Sequence, residues 1–115
     1  MSNHPHLLSI IIPVFNEETH IAEVLEKIKA VVLPPNIERE IIVIDDGSSD
    51  RTPQILKKFQ DDNVISLHSS VLNSGKGTAI RIGLKKAKGD IILIQDADLE
   101  YDPNDYAGLI QPILA

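Results

Sequence analysis

The sequence contains no cysteine and no tryptophan, and it has only two phenylalanines and two tyrosines. Without cysteine the chain has no disulfide framework and no thiolate chemistry, which fits a reducing compartment. Because aromatic residues make up only 3% of the sequence, a stacking platform for single-stranded nucleic acid is not expected.

An excess of positive charge and a long apolar segment are also missing. The formal net charge is -6 over 115 residues, so the chain has no basic surface for nucleic acid. Its apolar stretches are far shorter than the roughly 20 residues that a membrane helix needs. The first residues lack the basic and apolar regions of a signal peptide. We therefore expect a cytoplasmic protein with no nucleic-acid partner.

Four apolar runs stand out in an otherwise ordinary globular composition, with 43% hydrophobic and 24% charged residues. They cover residues 7–14, 40–44, 64–67 and 90–94. Most are rich in isoleucine and valine without strict alternation, which is typical of strands covered on both faces. The sequence thus predicts about four buried strands.

Helical patterns lie between these runs. The first has an apolar face with helical spacing, formed by Ile21, Val24, Leu25, Ile28 and Val32. Asn16 is predicted to be its N-cap, and the prolines at 34 and 35 end it.

Three further helices follow from capping signals. Ser49 or Asp50 is predicted to cap the second, with Pro53 in its first turn. The third carries Ile80, Leu84 and Ala87 and is predicted to end with Gly89 at C′. Residues 102–103 are predicted to begin a fourth. The alternation of strands and helices predicts an α/β fold whose mostly parallel sheet has right-handed crossovers and flanking helices.

Polar residues or glycines follow every predicted strand, and the carboxyl ends of parallel strands form one edge of the sheet, where ligands bind. Asp45 and Asp46 close the second strand before Gly47. This segment fits a simple strand-to-helix turn, and it equally fits a carboxylate that accepts hydrogen bonds from a ribose or a base. The sequence leaves both interpretations open.

Lys76 is flanked by Gly75 and Gly77 at the start of the third helix. The P-loop pattern fails here because Ser70 and Gly77 occupy its required positions. What remains is a lysine at a helix N-terminus, where an anion is favoured. A flexible loop with a solvated lysine is the alternative.

Three carboxylates at alternate positions follow the fourth strand: Asp96, Asp98 and Glu100. Crowded carboxylates repel one another, so a cation is expected among them. Mg²⁺ or Mn²⁺ suits this group, since such ions take one or two carboxylates together with substrate phosphates. A solvated acidic loop is the alternative interpretation.

Together, residues 11–17, 42–50, 73–77 and 95–100 resemble the motifs of family 2 glycosyltransferases, in the family's order. They are most similar to the dolichyl-phosphate mannose or glucose synthase branch and its bacterial polyprenyl-phosphate relatives. The resemblance implies a Rossmann-like GT-A domain over residues 7–115, after a tail of residues 1–6. It also implies truncation at the C-terminus, with the acceptor-binding and remaining catalytic residues further downstream.

The resemblance further implies a GDP- or UDP-linked sugar donor and Mg²⁺ or Mn²⁺ as the cofactor. The implied donor-binding residues are Pro13, Phe15, Glu17, Ile44, Asp46, Lys76, Asp96, Ala97 and Asp98. Asp98 is the leading metal ligand, supported by Asp96 and Glu100. The family often has tyrosine at the Phe15 position, and its mannose synthases often have glutamine or another polar residue at the Glu100 position.

The activity implied is transfer of the sugar with inversion, with a polyprenyl phosphate at the cytoplasmic membrane face as one acceptor. A donor-binding fragment without turnover is an alternative, and an exposed sheet flank in such a fragment favours self-association. A phospho-receiver domain carries its acidic pair after the first strand, where this chain has residues 13–17. A nucleotidyltransferase usually begins with a glycine-rich basic loop, which this sequence lacks.

Overall fold

The computed structural model describes residues 6–70 and 74–97, which alternate between strands and helices. The elements are β1 (His6–Val14), α1 (Ile21–Ala30), β2 (Ile37–Asp45), α2 (Thr52–Asp61), β3 (Ser66–Ser69), α3 (Lys76–Lys86) and β4 (Ile91–Ile94). This order confirms the predicted α/β alternation. The predicted fourth helix lies outside the described residues.

The four strands form one parallel sheet in the order β3-β2-β1-β4. The chain therefore builds outward from β1 to β3 and then returns to place β4 on the other side of β1. Open α/β sheets bind ligands where the strand order reverses in this way. A receiver domain has β1 between β2 and β3 instead, so the observed order argues against that alternative.

Alternate residues of the central strands supply two separate cores. On one face Ile10 and Ile12 of β1 lie fully buried in a large cluster with α1 and α2. On the other face Ile42 and Ile44 of β2 form a cluster with Ala79 of α3. Burying each such side chain contributes roughly 1.5–3 kcal/mol, which explains why the apolar runs specify the sheet.

The structure corrects the predicted ends of the first helix. Asn16 is not its N-cap, because α1 begins at Ile21 with His20 in the N-cap position. Val32 is 86% exposed and lies beyond the end of the helix at Ala30. The guanidinium of Arg39 donates to the carbonyl oxygens of Ile28 and Val31, so a tertiary contact binds the helix end.

The third helix also differs from its predicted face. Its buried positions are Ala79 and Gly83, whereas Leu84 is 47% exposed and Ala87 is the C-cap. Small residues are needed here because the helix lies close to the sheet. A Cβ atom on Gly83 would come within 2.4 Å of the Ile11 side chain.

Gly89 does not occupy the predicted C′ position, since α3 is capped at Ala87. A Cβ atom at Gly89 would lie 2.3 Å from the Leu7 carbonyl oxygen and 2.5 Å from Ser9 Oγ. Glycine is required there by close backbone approach to β1.

Pro53 is confirmed in the first turn of α2, but the N-cap is Arg51 and not the predicted Ser49 or Asp50. β3 begins two residues later than predicted.

No helix within residues 6–70 and 74–97 is long and apolar enough to cross a membrane.

Candidate functional site

A cavity of about 330 Å³ lies at the carboxyl ends of β1, β2 and β4, beside the start of α3. Its lining is formed by Pro13, Val14, Phe15, Glu17, Asp46, Gly75, Lys76, Ala79, Asp96 and Ala97. Seven of these ten residues were predicted from the sequence to bind the donor. The four motif segments therefore converge on one side of the sheet.

Within the described residues, Ile44 is the predicted donor-binding residue that does not line the cavity. Ile44 is 0% exposed and belongs to the buried cluster that contains Ala79. Its side chain is therefore part of the core beside the cavity, because alternation along β2 turns it towards α3. Asp98 lies outside the described residues, as does Glu100.

Phe15 and Glu17 form the wall that follows β1. Phe15 is 42% exposed although it directly follows the buried strand β1. Its accessible ring provides an apolar surface in a cavity that otherwise carries charged groups. Such a mixture of apolar walls and a few polar groups is typical of small-molecule sites.

Asp46 binds the segment that precedes α3. Its Oδ1 accepts hydrogen bonds from the Ser74 backbone N–H at 3.0 Å and the Ser74 hydroxyl at 2.9 Å. Its Oδ2 accepts a hydrogen bond from the Gly75 N–H at 2.7 Å. Burial by itself raises the pKa of Asp46, but the hydrogen bonds from Ser74, Gly75 and Ser70 outweigh it and lower that pKa. The carboxylate is therefore held ionised.

The two adjacent aspartates have different structural roles. Asp45 Oδ1 accepts a hydrogen bond from the Ser48 N–H at 3.1 Å, so it shapes the turn into α2. Asp46 instead faces the cavity and the start of α3. Asp45 therefore has the role of a strand-to-helix turn residue, whereas Asp46 is the aspartate that lines the cavity.

Lys76 and Asp96 form an ion pair in one corner of the cavity. Lys76 begins α3, and Asp96 lies two residues after the end of β4. The side chains are 59% and 28% exposed, respectively, so the pair remains accessible to solvent. Because the lysine is also at a helix N-terminus, this corner of the cavity favours an anionic group.

No group of three or more metal-ligating side chains is formed within residues 6–70 and 74–97. Asp96 is the one predicted metal ligand in that part of the chain. Its carboxylate already faces a cation, the Lys76 ammonium. A divalent ion at Asp96, Asp98 and Glu100 therefore stays a prediction from the sequence.

Val14, Gly75 and Ala79 line the cavity but were not predicted as site residues. Gly75 has φ 97°, a conformation that glycine adopts far more readily than other residues. Its place in the Gly-Lys-Gly segment was the sequence signal for this position. Ala79 is fully buried, and only the packing of α3 reveals its place at the cavity.

A comparison with models of protein families matches residues 9–115 to "Glycosyl transferase family 2". The chain belongs to this family. The match extends over nearly the whole sequence and includes every motif segment at the cavity. It confirms the resemblance drawn from the motifs.

Curated relatives in the family include lipid-phosphate transferases. Undecaprenyl-phosphate 4-deoxy-4-formamido-L-arabinose transferase of Pseudomonas aeruginosa PAO1 is 33% identical over 107 residues, covering 91% of this chain and 32% of the relative. The enzyme of the same name from Pectobacterium carotovorum is 34% identical over 106 residues, with 90% and 32% coverage. The chain thus spans about a third of the length of these relatives.

Solved structures of GT-A glycosyltransferases share the fold. S. aureus TarS 1-349 in complex with UDP-GlcNAc has a TM-score of 0.74 at 31% identity, covering 91% of this chain and 31% of that one. The mannosyltransferase PcManGT of Pyrobaculum calidifontis in complex with GDP-Man and Mn²⁺ has a TM-score of 0.76 at 27% identity, covering 89% of this chain and 30% of that one.

A third neighbour is glucosyl-3-phosphoglycerate synthase of Mycobacterium tuberculosis, solved with Mn²⁺, UDP and glucosyl-3-phosphoglycerate. It gives a TM-score of 0.76 at 27% identity and covers 96% of this chain and 40% of that one. These neighbours, together with the strand order, establish the Rossmann-like GT-A fold for this family 2 chain.

Proposed function

We propose that this chain forms the donor-binding part of an inverting glycosyltransferase that uses a GDP- or UDP-linked sugar with Mg²⁺ or Mn²⁺. The main support for this proposal is the cavity where the strand order reverses, which is lined by Phe15, Asp46, Lys76 and Asp96. The complexes of TarS with UDP-GlcNAc and of PcManGT with GDP-Man and Mn²⁺ support this choice of ligand.

The nucleoside is assigned to the apolar side of the cavity. Pro13, Phe15 and Glu17 line its wall, and the exposed Phe15 ring offers a face for a base. Asp46 lies opposite the same nucleoside and is assigned to the base or ribose. The Asp46 carboxylate already accepts hydrogen bonds from Ser74 and Gly75. A ligand N–H or O–H that binds this carboxylate directly would therefore replace the Ser74 hydroxyl as a donor.

The diphosphate is assigned to the corner formed by Lys76, Asp96 and Ala97. When nucleotide binds, the Lys76 ammonium can move from the Asp96 carboxylate to a phosphate oxygen, since both partners are anionic. The N-terminus of α3 adds further positive potential at the same place. Ile44 is assigned a supporting role in the adjacent core, because its side chain is buried.

Asp96, Asp98 and Glu100, together with the donor phosphates, would hold the proposed metal. Such an ion neutralises the negative charge that develops on the departing nucleoside diphosphate. The Lys76 ammonium contributes to the same neutralisation from the chain itself. A phosphate acceptor is already anionic and needs no base, whereas a hydroxyl acceptor needs one.

A polyprenyl phosphate is the acceptor class that the curated relatives favour, since their names specify undecaprenyl phosphate. An acceptor of this kind places the protein at the periphery of the cytoplasmic membrane face. In the proposed reaction the acceptor oxygen attacks the anomeric carbon opposite the leaving diphosphate, which inverts that centre.

Donor binding without turnover is the second candidate function, because the chain spans only about a third of its curated relatives. The two candidates are separated by assaying sugar transfer to undecaprenyl phosphate with this chain and with a C-terminally extended one. Full transfer by the 115-residue chain supports a complete enzyme. Transfer by the extended chain alone supports the donor-binding fragment.

A thermal-shift series tests the donor site that both candidates share. UDP or GDP with Mn²⁺ should raise the melting temperature of this chain, because a ligand that binds only the folded state stabilises it. ADP serves as the control nucleotide. A melting temperature that none of these nucleotides changes would argue against the site.

Self-association is proposed on the grounds of an exposed sheet edge. β4 is an edge strand of the described sheet, and Ile92 and Ile94 are 42% and 39% exposed. Apolar edge strands readily pair with other chains. Sedimentation analysis of the wild type and Ile94→Thr tests the proposal: association that the substitution weakens supports it, and a monomeric wild type contradicts it.

A further inference from the structure

Two loops beside the cavity are joined by reciprocal hydrogen bonds. Residues 15–20 connect β1 to α1, and residues 46–51 connect β2 to α2. The Asn16 N–H donates to Ser48 Oγ at 2.9 Å, and Asn16 Oδ1 accepts from the Ser49 N–H at 2.8 Å. Asn16 has φ 51°, a left-handed conformation that asparagine tolerates better than most residues. Its real role is therefore to join these loops.

A second set of bonds centres on Asp50 and Thr52. Asp50 Oδ2 accepts from the Glu18 N–H at 3.3 Å, and Asp50 Oδ1 accepts from the Thr52 N–H at 2.8 Å. Thr52 Oγ1 in turn accepts from the Glu17 N–H at 3.0 Å. Thr52 is fully buried, so its hydroxyl is fixed in place. We name Asn16, Ser48, Asp50 and Thr52 the loop clasp.

Among the described residues, the loop clasp contributes none of the side chains that line the cavity. It nevertheless binds the backbone of the lining residue Glu17, and Asn16 directly follows Phe15. The second loop begins at Asp46, which lines the other side of the cavity. The clasp therefore sets the position of the Phe15–Glu17 wall relative to Asp46.

We propose that the loop clasp positions Phe15 and Glu17 for the nucleoside of the donor, with Asn16 and Thr52 as positioning residues. This inference rests on the proposed function, because it explains how the walls of the proposed donor site are held in position. Neither side chain touches the ligand. Their effect on affinity acts through the backbone of the β1–α1 loop.

Thr52→Val tests the clasp because it keeps the side-chain shape but removes the acceptor of the Glu17 N–H. We expect nucleotide affinity to fall by roughly 5- to 30-fold, since an unpaired backbone donor favours rearrangement of the wall. Thr52→Ser retains the hydroxyl and should restore most of the affinity. Asn16→Gly is a second variant at an exposed position. Glycine adopts positive φ readily, and the substitution removes the side-chain amide that accepts from the Ser49 N–H.

Ser9→Ala is the matched control at the other end of the sheet. Ser9 Oγ donates to Glu40 Oε2 at 2.5 Å and accepts from the Gly89 N–H at 2.8 Å. It is also fully buried, so its loss costs folding stability as Thr52→Val does. Its distance along β1 from the cavity predicts unchanged nucleotide affinity.

Calorimetric titration of these variants with UDP and GDP in the presence of Mn²⁺, alongside their melting temperatures, decides the matter. Weaker binding by Thr52→Val or Asn16→Gly, recovery in Thr52→Ser and wild-type affinity in Ser9→Ala support the clasp. Equal affinity in the wild type, Thr52→Val and Asn16→Gly overturns it and leaves the donor site standing. A wild type that binds neither nucleotide overturns the proposed function and this inference with it.

Discussion

The Asp46 carboxylate accepts a hydrogen bond from the Gly75 N–H at 2.7 Å and so ties the end of β2 to the start of α3. The two residues belong to different motif segments, and both line the cavity. This contact makes the geometry of one cavity wall depend on an ionised side chain. Two predictions follow from this dependence, one on stability and one on pH.

Asp46→Asn should destabilise the fold by about 1–3 kcal/mol, because its amide nitrogen takes the place of one carboxylate oxygen and cannot accept, so that either the Gly75 bond or the Ser74 bonds are lost. Urea unfolding measures the change. Asp62→Asn, at an exposed position after α2, is the control and should lie within about 0.5 kcal/mol of the wild type. Equal loss in both variants would contradict the role assigned to Asp46.

The pH dependence of stability follows from the lowered pKa of Asp46. A carboxyl with a depressed folded-state pKa contributes stability that is present above its unfolded pKa, near 3.9, and is lost as pH falls through the folded value. Wild type should therefore lose stability on acidification below about pH 4 more steeply than Asp46→Asn. Parallel unfolding curves for the two proteins over that window would show that another carboxyl is responsible.

Lys76→Gln should weaken UDP or GDP binding about tenfold and affect the corresponding monophosphate less, because the ammonium is assigned to the diphosphate. Stability should change by less than about 1 kcal/mol, since the Lys76–Asp96 pair is solvent-accessible. Lys57→Gln removes a different exposed ion pair, with Asp61, and should leave affinity unchanged. An equal loss of affinity for the nucleoside diphosphate and for the monophosphate would show that Lys76 does not contact the second phosphate.

Gly89→Ala should destabilise the chain by roughly 1–3 kcal/mol, because the new methyl group meets the Leu7 carbonyl at 2.3 Å. Gly77→Ala is the contrasting variant, since a Cβ there has nothing within 4 Å and lies in the first turn of α3. It should be neutral or stabilising by up to about 1 kcal/mol. Chemical denaturation distinguishes the two, and a tolerated Gly89→Ala would refute the close-approach explanation.

The sequence was sufficient to locate the strands along the chain, but β3 and β4 are only partly buried and not covered on both faces as predicted. Residues 41–44 are buried on both faces of the sheet, so apolar composition alone locates this strand. Polar residues after each strand could be assigned to one edge because parallel strands end together. For this reason Asp46, Lys76 and Asp96 were predicted at the edge where they line the cavity, and the family resemblance added Phe15.

The errors arose where a distant contact decides the local structure. Asn16 has the sequence signature of an N-cap, yet its partner Ser49 lies 33 residues away along the chain. Gly89 has the sequence signature of a helix C-cap, but glycine is required there because the backbone of Leu7, near the start of the sequence, lies too close for a side chain. Thr52 carried no signal for its contact with Glu17. Local patterns do not encode such pairings.

The most direct test of the donor site is calorimetric titration of the wild-type chain and Asp98→Ala with UDP and GDP, with and without Mn²⁺. The proposed site predicts that one nucleotide binds the wild type and that Mn²⁺ strengthens its binding. Asp98→Ala should stay folded and lose that metal-dependent part. If the wild type shows no metal-dependent binding to either nucleotide, or if Asp98→Ala binds as the wild type does, the account is contradicted.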